Sequence, residues 1–351
     1  SLSQHPEVVR QMGDKLTIVY TPLHGTGNLP VRRVLEKLGF VKLHMVTEQE
    51  KPDPEFRTVK SPNPEEREAF TLALQLGKQV DADLIIGTDP DCDRVGAVVK
   101  DASGEYIVLT GNQSGAILVE YLLSSMKTKG TLPPDGVVIN TIVTSEMGAA
   151  IARSYGAQVM STLTGFKYIG EKITQFEAQG GTPTFLFGYE ESYGYLAGTH
   201  ARDKDAVVAS MLLAEAAAYY KSKGLSLYDV LQQLYRQYGF YMEKLESRTM
   251  KGKDGLAKIR SIMEDWRNHP PAEVNGRKVL QVLDYANGLD GLPKENVLKF
   301  LLEDRSWFCL RPSGTEPKIK VYFAVCGHSE EESVRSLQEL VSAVMGRVDA
   351  H

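Results

Sequence analysis

Apolar residues recur along the first two thirds of the chain in short bursts separated by helix-like stretches. Leu16 to Tyr20 is a β-branched and apolar run closed by Thr21-Pro22. A helical pattern from Val31 to Leu38 follows, stopped by Gly39, and then an extended run from Val41 to Val46. The acid-rich turn Glu65-Glu66 after Pro64 predicts a second helix ending at Gly77. Leu84 to Ile86 then reads as a buried strand leading into an acidic loop at Asp89. The middle third repeats the layout. Ala116 to Leu123 and Glu146 to Tyr155 are helical, and Val137 to Asn140, Gln158 to Ser161 and Phe185 to Phe187 are strands. An alanine-rich helix runs from about Asp205 to Tyr220, too apolar for solvent on every side. Strands joined by helices at this spacing predict βαβ units with parallel pairing.

The last third differs. Phe240 to Met250 predicts a long strand and Leu256 to Arg267 a helix. Two or three short strands follow, then a turn at Arg311 to Pro317, a strand from Ile319 to Phe323 and a closing helix from Glu330 to Val344. The expected class is α/β: two consecutive βαβ-type mixed-sheet domains followed by a smaller α+β C-terminal domain. A length of 351 residues suits two or three domains at ~150 residues each. Boundaries are expected at 1–110, 111–238 and 239–351.

Charge and cysteine content narrow the function. Forty lysines and arginines against 45 aspartates and glutamates give a net charge of −5, with no broad attraction to nucleic acid or an acidic membrane. Any anion site must therefore be built locally. Cys92, Cys309 and Cys326 are too few and too scattered for a disulfide framework or a four-thiolate zinc site, so reduced thiols in a cytoplasmic protein are expected. No apolar run approaches the ~18–20 residues of a membrane span, and no signal-peptide pattern opens the chain. The start at Ser1-Leu2 without methionine predicts processing or truncation.

The sharpest chemical signal is Asp89-Pro90-Asp91-Cys92-Asp93-Arg94, directly after a strand. Carboxylates at alternate positions repel one another by ~4 kcal/mol per pair at 4 Å and an effective dielectric near 20. Arg94 neutralises one of them. Either the three diverge into water, as an acidic surface turn, or Asp89, Asp91 and Asp93 share a divalent cation. Hard oxygen ligands on a tight loop suit Mg2+. A calcium EF-hand is excluded, because Arg94 stands at its glycine position and Lys100 at its terminal glutamate position.

Two further loops carry donors. Arg311-Pro312-Ser313-Gly314-Thr315-Glu316-Pro317 combines a guanidinium, two hydroxyls and a glycine, a set suited to a phosphate dianion or to a plain hairpin turn. Glu190-Glu191-Ser192-Tyr193-Gly194 follows a strand and precedes His200-Ala201-Arg202-Asp203-Lys204-Asp205. Carboxylates and a serine there can meet sugar hydroxyls and the cations can meet phosphate, or the loop can be solvated and internally ion-paired. Thr164-Gly165-Phe166-Lys167 and Thr21-Pro22-Leu23-His24-Gly25-Thr26-Gly27 are weaker signals. The latter is no dinucleotide fingerprint, since Pro30 takes the third glycine position, and His24 reads as a structural loop residue.

The order TPLHGTG, SPNPEE, DPDCDR, TGFKYIG, EESYG, RDKD and RPSGTEP resembles the alpha-D-phosphohexomutases, the phosphoglucomutase and phosphomannomutase enzymes, from about Thr21 to Tyr322. The resemblance implies a hexose 1-phosphate and 6-phosphate interconversion through a phosphoserine and a bisphosphate intermediate, with glucose the preferred sugar. It implies that Asp89, Asp91 and Asp93 bind Mg2+, and that Arg94 and Lys204 are catalytic. Thr164, Gly165, Lys167, Glu190, Ser192, Arg202, Arg311, Ser313, Gly314 and Thr315 would bind a phosphorylated hexose or its bisphosphate. Two departures stand out. Cys92 sits where the family carries glycine, and the Ser-His-Asn-Pro nucleophile loop does not occur. The expectation is a fragment carrying domains II to IV, with the N-terminal domain I of the same polypeptide missing and negligible turnover alone. A non-catalytic phosphosugar-binding module and a metal-dependent sugar phosphatase are the competing readings.

Overall fold

The computed structural model describes residues 2–250, 254–314 and 316–351. The chain divides into two compact units, Ser1–Leu234 and Tyr235–His351.

The first unit opens with helix α1 (Pro6–Met12), strand β1 (Ile18–Thr21), helix α2 (Asn28–Leu38), strand β2 (Leu43–Met45) and helix α3 (Thr71–Val80). Strands β3 (Leu84–Thr88), β4 (Val95–Lys100) and β5 (Tyr106–Val108) complete a five-stranded sheet of order β2-β1-β3-β4-β5. Its first three strands are parallel, with Ile18 facing both Leu43 and Leu84. The outer two run antiparallel, Thr88 facing Val95 across the β3–β4 turn. Helix α4 (Gly111–Lys129), β6 (Gly136–Thr141), α5 (Glu146–Ser154), β7 (Gln158–Thr162), α6 (Phe166–Ala178), β8 (Thr184–Glu190) and β9 (Gly194–Ala197) come next. Their sheet has the order β7-β6-β8-β9, again three parallel strands and an antiparallel fourth. The repeated layout in the sequence is thus a repeated topology. Helices α7 (Ala206–Ser222) and α8 (Leu227–Tyr238) follow. Helix α7 packs on α1, α2, β3, β4 and β9, which is why alanine and leucine surround it on nearly every side.

The α/β class stands, with differences in detail. The helix expected just after Pro64 begins as a 3-10 turn at Arg67–Phe70, becomes α-helical at Thr71 and continues past Gly77. Gly77 is a packing residue: a Cβ there would lie 2.6 Å from Ile85 Cδ1. Helices α1, α6 and α8 and strands β4, β5 and β9 were not anticipated. Among the described residues, no helix is long and apolar enough to cross a membrane.

The second unit is α+β. Strand β10 (Phe240–Thr249), helix α9 (Gly255–Asn268), strands β11 (Glu273–Val274), β12 (Arg277–Asp284), β13 (Leu298–Leu302), β14 (Trp307–Pro312) and β15 (Lys318–Gly327), and helix α10 (Glu330–Asp349) follow in order. The antiparallel sheet runs β10-β15-β14-β13-β12-β11. β10 and β15 pair over ten residues, from Phe240 with Gly327 to Thr249 with Lys318. Trp266 and Met263 from α9, Leu340 and Val344 from α10, and Phe300, Phe308 and Phe323 from the sheet form its core.

Candidate active site

The acidic loop starts where β3 ends. Oδ1 of Asp89 accepts the backbone N–H groups of Asp93 at 3.0 Å and Arg94 at 2.9 Å, while the Cys92 N–H donates to the Asp89 carbonyl. These bonds curl the loop so that one oxygen from each of Asp89, Asp91 and Asp93 lies within 4.8 Å of the others. Burial, and then the charges of Asp93 and Asp91, push the Asp89 carboxyl up to about 7. This trio contains neither imidazole nor thiolate. Three converging carboxylate oxygens fit an oxygen-preferring divalent cation such as Mg2+. Cys92 takes a left-handed conformation, φ 60°, where a side chain is disfavoured by about 1 kcal/mol. Glycine, which the sequence resemblance leads one to expect at this position, would take the same conformation without that cost. Burial pushes the Cys92 thiol up to about 12.

The 21–27 loop supports the acidic loop from below. Thr26 donates its N–H at 2.8 Å and its hydroxyl at 3.1 Å to the Pro90 carbonyl. Gly25 allows this approach, since a Cβ there would fall 2.4 Å from Pro90 Cα. His24 is buried with both ring nitrogens engaged, Nδ1 at 2.8 Å from the Lys51 carbonyl and Nε2 at 2.7 Å from Thr58 Oγ1. It is a structural loop residue.

The second loop joins β8 to β9, the position in its sheet that the acidic loop holds between β3 and β4. Gly165 donates its N–H to Oε1 of Glu190 at 2.7 Å. Burial raises the Glu190 carboxyl, opposed by that N–H. Oε2 of Glu191 accepts from the hydroxyls of Thr141 at 3.2 Å and Thr144 at 3.4 Å, and burial plus the Glu190 charge push Glu191 up to about 7. The Thr164 hydroxyl is buried without a hydrogen-bond partner among the described residues. Ser192 is half-buried and Lys167 exposed, its Nζ 4.9 Å from the Tyr168 ring.

The two loops are stitched together. Arg94 and Gly194 form an isolated antiparallel bridge, and Val95 donates its N–H to the Tyr193 carbonyl at 3.0 Å. Lys204 reaches back to place Nζ 2.9 Å from Oδ2 of Asp93. Arg94 is ion-paired with Glu65, and its Nε lies 3.8 Å from Asp93 Oδ1. A cavity of about 280 Å³ opens between Ser61, Pro62 and Asn63 on one side and the 89–94 loop on the other.

Other anticipated residues have local partners. The Arg202 guanidinium bonds Thr174 Oγ1 at 3.1 Å and the Thr199 carbonyl at 2.7 Å and pairs with Glu177, so it is held on α6. In the second unit, Arg311, Ser313 and Gly314 form part of the β14–β15 hairpin, and Thr315 lies outside the described residues. Arg311 pairs with Glu295 at 3.2 Å, and Ser313 donates its N–H to the Lys318 carbonyl at 2.7 Å. Gly314 is exposed, with space around its Cα.

Sequence reasoning gave no role to Asn63 and Glu65. The SPNPEE motif held the signal: Asn63 Oδ1 accepts the Glu65 N–H at 3.0 Å, a turn that sets Glu65 against Arg94.

Two mixed α/β sheets of repeated topology, each carrying a carboxylate-bearing loop between its last parallel strand and its antiparallel one, define a class, and comparison with known proteins agrees. Family models for phosphoglucomutase/phosphomannomutase match residues 1–104 (alpha/beta/alpha domain II), 110–238 (alpha/beta/alpha domain III) and 248–341 (C-terminal domain). The chain belongs to the phosphoglucomutase/phosphomannomutase family. A phosphoglucomutase of Staphylococcus haemolyticus is 39% identical over 334 residues, covering 91% of this chain and 60% of the relative. The chain therefore spans about 60% of the length of that curated relative. The open form of the Paramecium phosphoglucomutase pp63/parafusin shares the fold with a TM-score of 0.73 at 18% identity, over 98% of this chain and 60% of that one. An Aspergillus fumigatus N-acetylphosphoglucosamine mutase in complex with GlcNAc-6P and magnesium aligns with a TM-score of 0.51 at 14% identity, over 99% and 65% of the two chains.

Proposed function

We propose that this chain is the metal-binding and sugar-phosphate-binding part of a mutase that interconverts glucose 1-phosphate and glucose 6-phosphate. The domains would be 1–110, 111–238 and 239–351, with the phosphoryl-carrying serine supplied from outside these residues and the protein working in the cytoplasm. The glucose assignment is supported by the name of the 39% identical relative. The observation that carries the reading is the Arg94–Gly194 bridge, which ties a three-carboxylate loop to a loop bearing Glu190 and Ser192.

Asp89, Asp91 and Asp93 would hold Mg2+, which when bound offsets negative charge on a transferring phosphoryl group. The protein's own groups do the rest. Arg94, turning from Glu65, donates to phosphoryl oxygens in charge-assisted hydrogen bonds. Glu190 accepts from a sugar hydroxyl while Ser192 and Thr164 donate, fixing which hydroxyl faces the metal loop. Lys204 delivers positive charge beside the same centre. Arg311, Ser313, Gly314 and Thr315 would grip the phosphate that is not reacting, while Lys167 and Arg202 add charge for the sugar phosphate. Calorimetry with glucose 1,6-bisphosphate in Mg2+ tests this: saturable one-to-one binding supports the reading, and no binding contradicts it. Bisphosphate-stimulated conversion of glucose 1-phosphate by the 351 residues alone would overturn the part that assigns the nucleophile elsewhere.

A further inference from the structure

Lys204 occupies a position that its neighbours define closely. Its aliphatic stem lies across Gly194, where a Cβ would come 2.1 Å from Lys204 Cδ. Any other residue at 194 would lift the side chain away. The ammonium sits 5.9 Å from the centre of the Phe166 ring, 2.9 Å from Asp93 Oδ2 and 3.4 Å from Asp203 Oδ1. With only 13% of the side chain exposed, water screens these contacts weakly. Asp93 is also one of the three carboxylates whose oxygens converge.

We propose that Lys204 is a tethered counter-cation of the acidic loop, one that competes with the divalent ion for Asp93 and moves toward Asp203 and the sugar loop when that ion is taken up. The inference rests on the magnesium reading above. An ammonium in contact with Asp93 and a divalent ion held by the same loop repel one another. At contact distances that repulsion exceeds thermal energy several-fold at protein dielectric values, a cost that the charge of the three aspartates offsets without removing. The lysine relieves repulsion among the three aspartates and lowers affinity for the ion. Uptake of the ion then sends an ammonium toward the sugar site. Ion loading and the charge around the substrate become linked, and by reciprocity an anionic sugar phosphate that draws Lys204 away tightens the ion.

The test is Mg2+ calorimetry on the whole chain, comparing the unaltered protein with Lys204→Met and Lys204→Arg, each first shown to melt cooperatively. Methionine keeps the stem over Gly194 and removes the charge, whereas arginine keeps the charge. Lys204→Met is expected to bind Mg2+ at least tenfold more tightly, about 1.4 kcal/mol, and Lys204→Arg within threefold of the unaltered chain. As a second readout, acylation of Lys204 followed by mass spectrometry should speed up at least threefold at saturating Mg2+. Equal or weaker binding by Lys204→Met, with the unaltered chain still binding, would overturn the counter-cation role and leave the magnesium reading in place. No Mg2+ uptake by any of the three proteins would instead remove the magnesium reading itself.

Discussion

Arg94 and Gly194, a hundred residues apart in the chain, face each other as an antiparallel bridge that closes the ends of two separate sheets onto one another. Each residue ends a loop that joins the last parallel strand of its sheet to the antiparallel one. The repeat therefore builds the candidate site: two equivalent turns, one carrying three converging carboxylates and the other Glu190 and Ser192, are brought together by the same topology.

The side chain of Arg94 is expected to bind phosphate without holding up the fold, because it is a third exposed and its partners are Glu65 and Asp93. Arg94→Ala should weaken glucose 1,6-bisphosphate binding ten- to a hundredfold, the loss of about 1.5–3 kcal/mol for a charge-assisted hydrogen bond. Its urea midpoint should stay close to that of the unaltered protein. Unchanged affinity by calorimetry would remove Arg94 from the site.

Gly25 sets how closely the 21–27 loop approaches Pro90. In Gly25→Ala the new methyl meets backbone, which has no rotamer to yield, so either the support or the acidic loop must shift. A loss of about 1–3 kcal/mol in folding stability is expected, together with at least tenfold weaker Mg2+ binding. Denaturant titration and calorimetry on the same variant check both effects.

Proton competition should be visible at the metal loop. With Asp89 raised to about 7, its carboxylate is progressively protonated below that pH, and Mg2+ affinity should fall about tenfold per unit below pH 7 and level off above it. The same shift has a stability consequence in chelator. Asp89 and Glu191 both bind protons more readily folded than unfolded, so their contribution favours folding near pH 4.5 and is lost as pH rises through 7. Replacing Glu191 by Gln should flatten the part of that dependence between pH 5 and 7 that Glu191 supplies, measured by urea melts.

Cys92 should be chemically quiet. Its thiol is pushed up to about 12 by burial, so little thiolate exists at pH 8. Iodoacetamide should label it far more slowly in the folded chain than after unfolding in guanidinium, with peptide mass spectrometry as the readout. Fast labelling in the native state would mean the loop opens.

Much of this arrangement was legible in the sequence, for identifiable reasons. Strands β1, β3 and β6 are buried on both faces and therefore read as unbroken apolar runs. The acidic loop declared itself because alternate aspartates are costly without a partner. Helix α6 escaped notice because its buried positions, Phe166, Ile169, Ile173 and Phe176, are spread among charged residues directly behind a glycine loop. Gly77 misled in the opposite direction, since a glycine chosen for contact with Ile85 looks the same in sequence as one that ends a helix. The roles of Glu65 and of the Arg94–Gly194 bridge depend on pairings between distant segments, which local pattern does not encode.

The most direct test of the central claim is diffraction from crystals of the chain soaked in manganese, recorded at the metal's absorption edge. The account predicts one dominant anomalous peak within coordination distance of Asp89, Asp91 and Asp93, lost when all three are changed to Asn. A dominant peak elsewhere, or one that survives the triple change, would contradict it.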